Sequence, residues 1–250
     1  MPSKNSRLRI MAGPNGSGKS TILHEVRKSF FSGPFVNADE IEKSLKEKRV
    51  INLPSLYDLE IEEKAFSRFL LNEGKSWIEK AKAEKSSISI TSLDGILVVN
   101  EEPSAYDAAL AADFIRLQLL QKGETYTFES VLSHPSKINF LRQSLDAGYK
   151  NYLYFICTVD PAINIERVSQ RVALGGHAVP EDKIVKRYTE SLNVLPQIIP
   201  LCHRVYLFDN STEKRSIDPV AEIDDKKRFI ARSELIPWWV DEYVVEKLYR

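Results

Sequence analysis

Apolar and polar residues alternate along this chain in two different periods, and the periods take turns. Five short runs read as buried or half-buried strands, at residues 8–12, 35–37, 125–128, 152–158 and 204–208. Between most of them apolar side chains recur every three to four residues, as in Ile22, Leu23, Val26 and Phe30, and again in Ile165, Val168 and Val172. Strand period alternating with helix period is the signature of an α/β domain whose central parallel sheet is flanked by helices on both faces. Arg7 and Arg9 interrupt the first strand and are read as its solvated start.

One connection is too long for a single crossover helix. Residues 55–85 have helix composition, with Ile61, Ala65, Phe69, Trp77, Ile78 and Ala81 as packing groups. Residues 87–99 then read as two short strands about Asp94-Gly95, a favoured hairpin turn. An amphipathic helix is expected over 106–121. The pattern predicts a helix and hairpin insertion at about residues 53–105, looped out of the sheet. At the other end, an extension over about 216–250 should hold a second hairpin around Asp224-Asp225-Lys226-Lys227 and a closing helix that begins Pro237-Trp238-Trp239. The whole is expected to be one domain with these two additions.

Composition narrows the classes. The chain has 250 residues with 35 basic and 35 acidic side chains, and this neutrality argues against a protein that coats nucleic acid. Its two cysteines, Cys157 and Cys202, both lie in apolar runs and read as packed free thiols. No run approaches the length of apolar chain that spans a membrane, and the first residues lack an apolar signal core, so a cytoplasmic protein is expected.

The chemistry is concentrated after the first strand. Gly13-Pro14-Asn15-Gly16-Ser17-Gly18-Lys19-Ser20 satisfies the phosphate-loop pattern G-x-x-x-x-G-K-[ST], and it stands between a strand and a helix as that pattern requires. Glycines let backbone N–H groups face a polyphosphate, and the helix N-terminus adds partial positive charge. Lys19 is expected to reach the β- and γ-phosphates, Ser20 to offer its hydroxyl to Mg²⁺, and Thr21 to bond an inner phosphate. The cofactors expected are therefore ATP or GTP together with Mg²⁺.

Ligands in such folds gather at the carboxyl ends of the parallel strands. Asp39, just past the second strand, is the candidate base for an acceptor hydroxyl; its other reading is an N-cap for the helix that follows. Glu129 and Ser130 end the third strand, Glu129 either holding the Mg²⁺ shell through water, accepting hydrogen bonds from a substrate, or lying on the surface. Asp160 and Asp209-Asn210-Ser211 follow the fourth and fifth. His134 is assigned no role. Arg167 and Arg171 stand one helical turn apart, positioned either to clamp a transferring phosphoryl group or to form a solvated face with Glu166. Gly175-Gly176-His177 and Pro180-Glu181-Asp182 then give either a hinged lid, with Arg187 in the next helix, or an ordinary glycine-rich connection.

Taken together these residues resemble the zeta toxin family of phosphate-loop kinases. The similarity is carried by 13–21, by Asn-Ala-Asp-Glu-Ile at 37–41, by Thr-Phe-Glu-Ser-Val-Leu-Ser at 127–133, and by Gly-Gly-His-Ala-Val-Pro at 175–180 followed by Arg-Tyr-Thr-Glu-Ser-Leu at 187–192. The resemblance implies a kinase-type phosphate-loop fold, transfer of phosphate to a small-molecule acceptor such as UDP-N-acetylglucosamine or a related nucleotide sugar, and an antitoxin protein as partner. It places Asp39 as the proton acceptor, Glu129 on the substrate side with Ser130, His177 and Arg187, and Arg167 or Arg171 on phosphate. His177 departs from the pattern, standing near where other members carry a second lid arginine. A second class stays open, a nucleotide-dependent switch whose insertion binds a protein or nucleic acid.

Overall fold

The computed structural model describes residues 6–29, 33–212 and 219–250. Residues 1–5, Phe30 and residues 216–218, where the C-terminal extension was expected to begin, lie outside them. In chain order the elements are β1 (Arg7–Ala12), α1 (Lys19–Ser29), β2 (Phe35–Val36), α2 (Ala38–Lys48), β3 (Val50–Asn52), α3 (Leu53–Tyr57), α4 (Ala65–Leu71), α5 (Lys75–Ala83), β4 (Ile90–Leu93), β5 (Ile96–Val99) and α6 (Ala105–Lys122). There follow β6 (Tyr126–Ser130), α7 (Ser136–Asp146), β7 (Lys150–Cys157), α8 (Pro161–Ala173), α9 (Glu181–Ile198), β8 (Arg204–Asp209), β9 (Ala221–Ile223) and β10 (Phe229–Ala231). The chain closes on α10 (Trp238–Val240), which runs on through a π turn over Asp241–Val245. Among the described residues no helix is long and apolar enough to cross a membrane.

The main sheet has the order β10-β9-β8-β7-β1-β6-β2, and a smaller one has the order β3-β5-β4. Pairing is parallel for β1 with β7, β7 with β8, and β2 with β6, while β9 and β10 add an antiparallel edge. All five strands expected from periodicity are present. The chain divides into two compact units, residues 33–128 and the remainder.

In the larger unit, the register sets Ile10 beside Leu153 and Leu153 beside Val205, and all three are buried. Their neighbours along β7, Phe155 and Ile156, point to opposite faces and are also inaccessible, so both faces are covered. Arg9 corrects the expectation of a solvated strand start. It is only 3% exposed, and its guanidinium lies 5.9 Å from the ring centroid of Tyr152, its register partner on β7. A cation on an aromatic face tolerates burial that an unaccompanied charge would not. The thiols of Cys157 and Cys202 are free and buried, and burial pushes each up to about 12.

In the smaller unit, Phe66, Phe69 and Phe114 form an aromatic cluster with centroids 4.9 to 6.0 Å apart. The helical stretch at 55–85 is three short helices, because Asp58 takes a left-handed conformation (φ 52°) after α3 and Asn72 ends α4. The hairpin at Asp94-Gly95 forms as its residues predict, with both at positive φ. Pairing of β3 with β5 is a long-range addition that local pattern does not reveal. Helix α6 is not amphipathic: Leu110, Ala111, Ala112, Phe114, Ile115 and Leu117 bury it on nearly all sides.

Its N-terminus carries the unit's main polar joint. Asp107 is 1% exposed; one carboxylate oxygen accepts from the N–H groups of Ser89 and Ile90, the other from the N–H and hydroxyl of Ser104. This capping box thus also ties β4 to the helix. Asp107→Asn places an N–H₂ group against these donors and is expected to cost about 1–3 kcal/mol, against about 1 kcal/mol for Ser104→Ala. Urea denaturation of the two variants measures the difference.

Candidate phosphate-binding site

The loop between β1 and α1 is built by close backbone approaches. Gly13 has φ 140°, and a Cβ there would stand 1.9 Å from the carbonyl oxygen of Ile156 on β7, so the chain can leave the sheet only as glycine. Its N–H donates to Ser130 O at 3.3 Å, fixing the loop to the end of β6. Gly18 has φ 96°, and a Cβ there would lie 2.2 Å from Asn210 Nδ2. The loop lies after β1, which has β6 on one side and β7 on the other. That is the point where strand order reverses, and ligands of open α/β sheets bind there.

The loop carbonyls of Gly13, Pro14, Asn15 and Ser17 each accept a side-chain donor. Lys19, 7% exposed, donates to Gly13 O at 3.0 Å and Pro14 O at 2.9 Å, with Glu129 Oε1 at 3.6 Å. Asn164 on α8, fully buried, donates to Asn15 O at 2.7 Å and accepts from the Thr158 hydroxyl. Thr158 O in turn accepts from Tyr188 on α9 at 2.5 Å; burial first of all pushes that phenol well above its ordinary range, so it stays a donor. Asn210 donates to Ser17 O at 2.8 Å.

With carbonyls turned outward, the N–H side of the loop faces the other way. Among the described residues no backbone acceptor pairs with the N–H of Asn15, Gly16 or Gly18, and the buried Ser17 hydroxyl has no partner. Orphan donors gathered at a helix N-terminus fit a phosphate group. The hydroxyls of Ser20 and Thr21 stand exposed in the first turn of α1. Among the described residues no group of three or more His, Cys, Asp or Glu side chains could hold a metal ion.

The remaining candidates divide. Arg187 reaches the loop, its Nη1 donating to Asn15 Oδ1 at 3.3 Å, so Asn15 is held at side chain and backbone alike. Arg167 and Arg171 share a helix but not a partner: Arg167 donates to Asn210 O at 2.7 Å, and Arg171 to His177 O at 2.8 Å. Glu166 accepts from Gln170, not from either arginine. His177 thus enters through its carbonyl, in the irregular stretch between α8 and α9. Gly176 gives Arg171 its path, since a Cβ there would meet Arg171 Cγ at 2.6 Å. Ser130 serves the backbone: its carbonyl takes Gly13 N–H and its hydroxyl accepts from Leu132 N–H.

Asp160 caps α8, accepting from Ala162 N–H. Asp39 lies in the smaller unit, exposed, as the second residue of α2. It does not cap that helix; Asn37 does, in extended conformation with its Oδ1 accepting from Asp39 N–H at 2.8 Å. Sequence reasoning passed over Asn164, Thr158 and Tyr188. The one available signal was Asn164 itself, a polar residue between Ile163 and Ile165.

The chain's sequence matches no known family and no curated protein. Its fold does have solved counterparts. The AvrRxo1-ORF1:ORF2 complex with ATP aligns over 91% of this chain and 61% of its own, at 15% identity and a TM-score of 0.52. This chain therefore spans less than two thirds of that protein's length. The PezAT toxin–antitoxin system of Streptococcus pneumoniae aligns over 87% of this chain and 72% of its own, at 15% identity and TM-score 0.46. A gluconokinase from Sinorhizobium meliloti covers 74% of each chain at 14% identity and TM-score 0.34. The architecture on which the loop is mounted, a mostly parallel sheet between helices, is the fold shared with that ATP complex.

Proposed function

We propose that this chain is a phosphotransferase of the zeta toxin type, which moves the γ-phosphate of ATP to a hydroxyl of a small molecule, UDP-N-acetylglucosamine or a related nucleotide sugar. The observation that carries the proposal is the phosphate loop with Lys19 buried against it and Glu129 alongside. Mg²⁺, bound through Ser20, would supply charge neutralisation at the phosphates. Within this reading Lys19 exchanges loop carbonyls for phosphate oxygens, and Arg187 and Arg167 add positive charge near the loop. Asp39 accepts the proton of the acceptor hydroxyl; its exposure in the first turn of α2 and its freedom from capping duty support that role. Glu129 orients the acceptor. The partner proposed is an antitoxin protein, on the strength of the sequence resemblance.

Lys19→Ala is expected to abolish transfer with the fold intact, because the loop's tethers to Asn164 and Asn210 do not involve that side chain. Asp39→Asn should retain nucleotide binding and thermal stability and lose transfer by about 10² to 10⁴. Both are measured by following a one-phosphate mass shift in a nucleotide-sugar pool with ATP and Mg²⁺, beside calorimetric binding of the nucleotide. Slow ATP hydrolysis with no acceptor product, indifferent to Asp39, would identify a nucleotide switch in place of a kinase.

Arg171 is proposed to act from the lid, swinging from His177 O toward the transferring phosphate. The transition state carries more spread charge on its equatorial oxygens than the ground state, so Arg171→Ala should lower kcat far more than it weakens ATP binding. Lysine at that position should rescue only partly, lacking the planar fork. Hydrogen exchange over residues 173–181 should slow when a nonhydrolysable ATP analogue is added; equal exchange with and without it removes the lid.

A further inference from the structure

We propose that the C-terminal helical segment is a positioning element for the phosphate loop, acting through Trp239, Asp209 and Asn210. The inference rests on the loop being a nucleotide site and adds a determinant of its affinity that lies outside the loop. Trp239 is fully buried, its ring 5.8 Å from that of Phe155, and its indole N–H donates to Asp209 Oδ2 at 2.8 Å. The other oxygen of that carboxylate accepts from Ser211 N–H at 3.0 Å. Asp209 therefore holds the chain on both sides of Asn210, and one of its two anchors comes from the C-terminal segment.

Asn210 is the residue so held, and its bonds reach β7, α8 and the phosphate loop. Its N–H donates to Cys157 O at 2.8 Å, its carbonyl accepts from Arg167, and its amide donates to Ser17 O, against the face of Gly18. The adjacent tryptophan repeats the device one strand over. Trp238 N–H donates to Val159 O at 2.9 Å, and Val159 N–H donates to the Ser211 hydroxyl at 2.8 Å. Two neighbouring indoles thus fasten the turns that follow β7 and β8, and the second turn bonds directly to the loop.

A tryptophan present only to fill the core would act through packing. One that positions the loop acts through its N–H. Removing that donor leaves a half-buried carboxylate oxygen without its indole partner, and Asp209 regains that bond to water by shifting the turn that carries Asn210. The loop would then lose the alignment of Ser17 and Gly18 before nucleotide arrives. Ground-state binding should suffer, whereas kcat at saturating ATP should hold, because binding energy restores the arrangement once phosphate is in place.

The test compares Trp239→Phe with Phe155→Leu. The first keeps an aromatic ring and cuts the hydrogen bond; the second thins the same core and leaves the bond. Titration with Mg²⁺-ATP by calorimetry is expected to show Kd raised about tenfold in Trp239→Phe and within about twofold of wild type in Phe155→Leu, although both lower Tm. Asn210→Ala should raise Kd as well, and adding Trp239→Phe to it should raise it little further, since both act through one contact. If Trp239→Phe does not fold, Asp209→Asn carries the same expectation. A wild-type Kd in the bond-cutting variants, or an equal rise in Phe155→Leu, overturns the inference. Wild-type protein that fails to bind Mg²⁺-ATP overturns the nucleotide reading itself, and this inference with it.

Discussion

A loop that binds phosphate through its backbone must dispose of its own carbonyls. Each peptide unit that turns an N–H toward an anion turns a C=O away, and a buried carbonyl without a donor costs about as much as the bond it forgoes. This one requirement organises the site. Lys19 takes the carbonyls of Gly13 and Pro14, Asn164 takes that of Asn15, and Asn210 takes that of Ser17. The donors come from α1, α8 and the end of β8, so the loop's shape is set by elements far apart in the chain. Asparagine suits two of these posts because its amide donates to the loop while its oxygen remains available to a further partner, as Asn164 shows with Thr158.

What the sequence reveals follows from how locally each feature is determined. The strands, the Asp94-Gly95 hairpin and the loop itself rest on neighbouring residues, and all were legible. Arg9 was misread because a charged side chain in a strand normally marks solvent, and the aromatic face that receives it belongs to Tyr152, more than a hundred residues on. Asp39 was allowed as a cap because Asp and Asn both cap well. The choice fell to Asn37, where the chain is extended with φ −130° and ψ 121° immediately before α2 begins. The roles of Asn164 and Tyr188 were not legible for a deeper reason. Their function is to meet a backbone atom of another segment, and no periodicity or motif records a backbone acceptor.

The arginines show the same limit from the other side. One-turn spacing correctly put Arg167 and Arg171 on one helix, yet spacing fixes only where a side chain begins. Arg167 ends on the carbonyl after β8, whereas Arg171 turns to the stretch before α9 because Gly176 leaves room for it. A pair that looked like a single clamp is therefore two contacts with different neighbours, one holding the turn beside the loop and one holding the lid candidate. Their contributions to any reaction should accordingly be separable.

The resting position of Lys19 bears on how such a site can be both stable and responsive. Its ammonium is largely withdrawn from water, a costly placement unless it is bonded, and three acceptors compensate it: two neutral carbonyls and the Glu129 carboxylate. Charge-assisted bonds to phosphate oxygens are roughly twice as strong as those between neutral groups. Exchange of the carbonyls for phosphate is therefore favourable only if the carbonyls freed in the exchange are not stranded. The carbonyls of Gly13 and Pro14 depend on this one cation, while those of Asn15 and Ser17 are held by asparagines. The division of labour is thus physical: neutral amides from two other segments hold the carbonyls of Asn15 and Ser17, and the lysine of the loop's own motif holds those of Gly13 and Pro14.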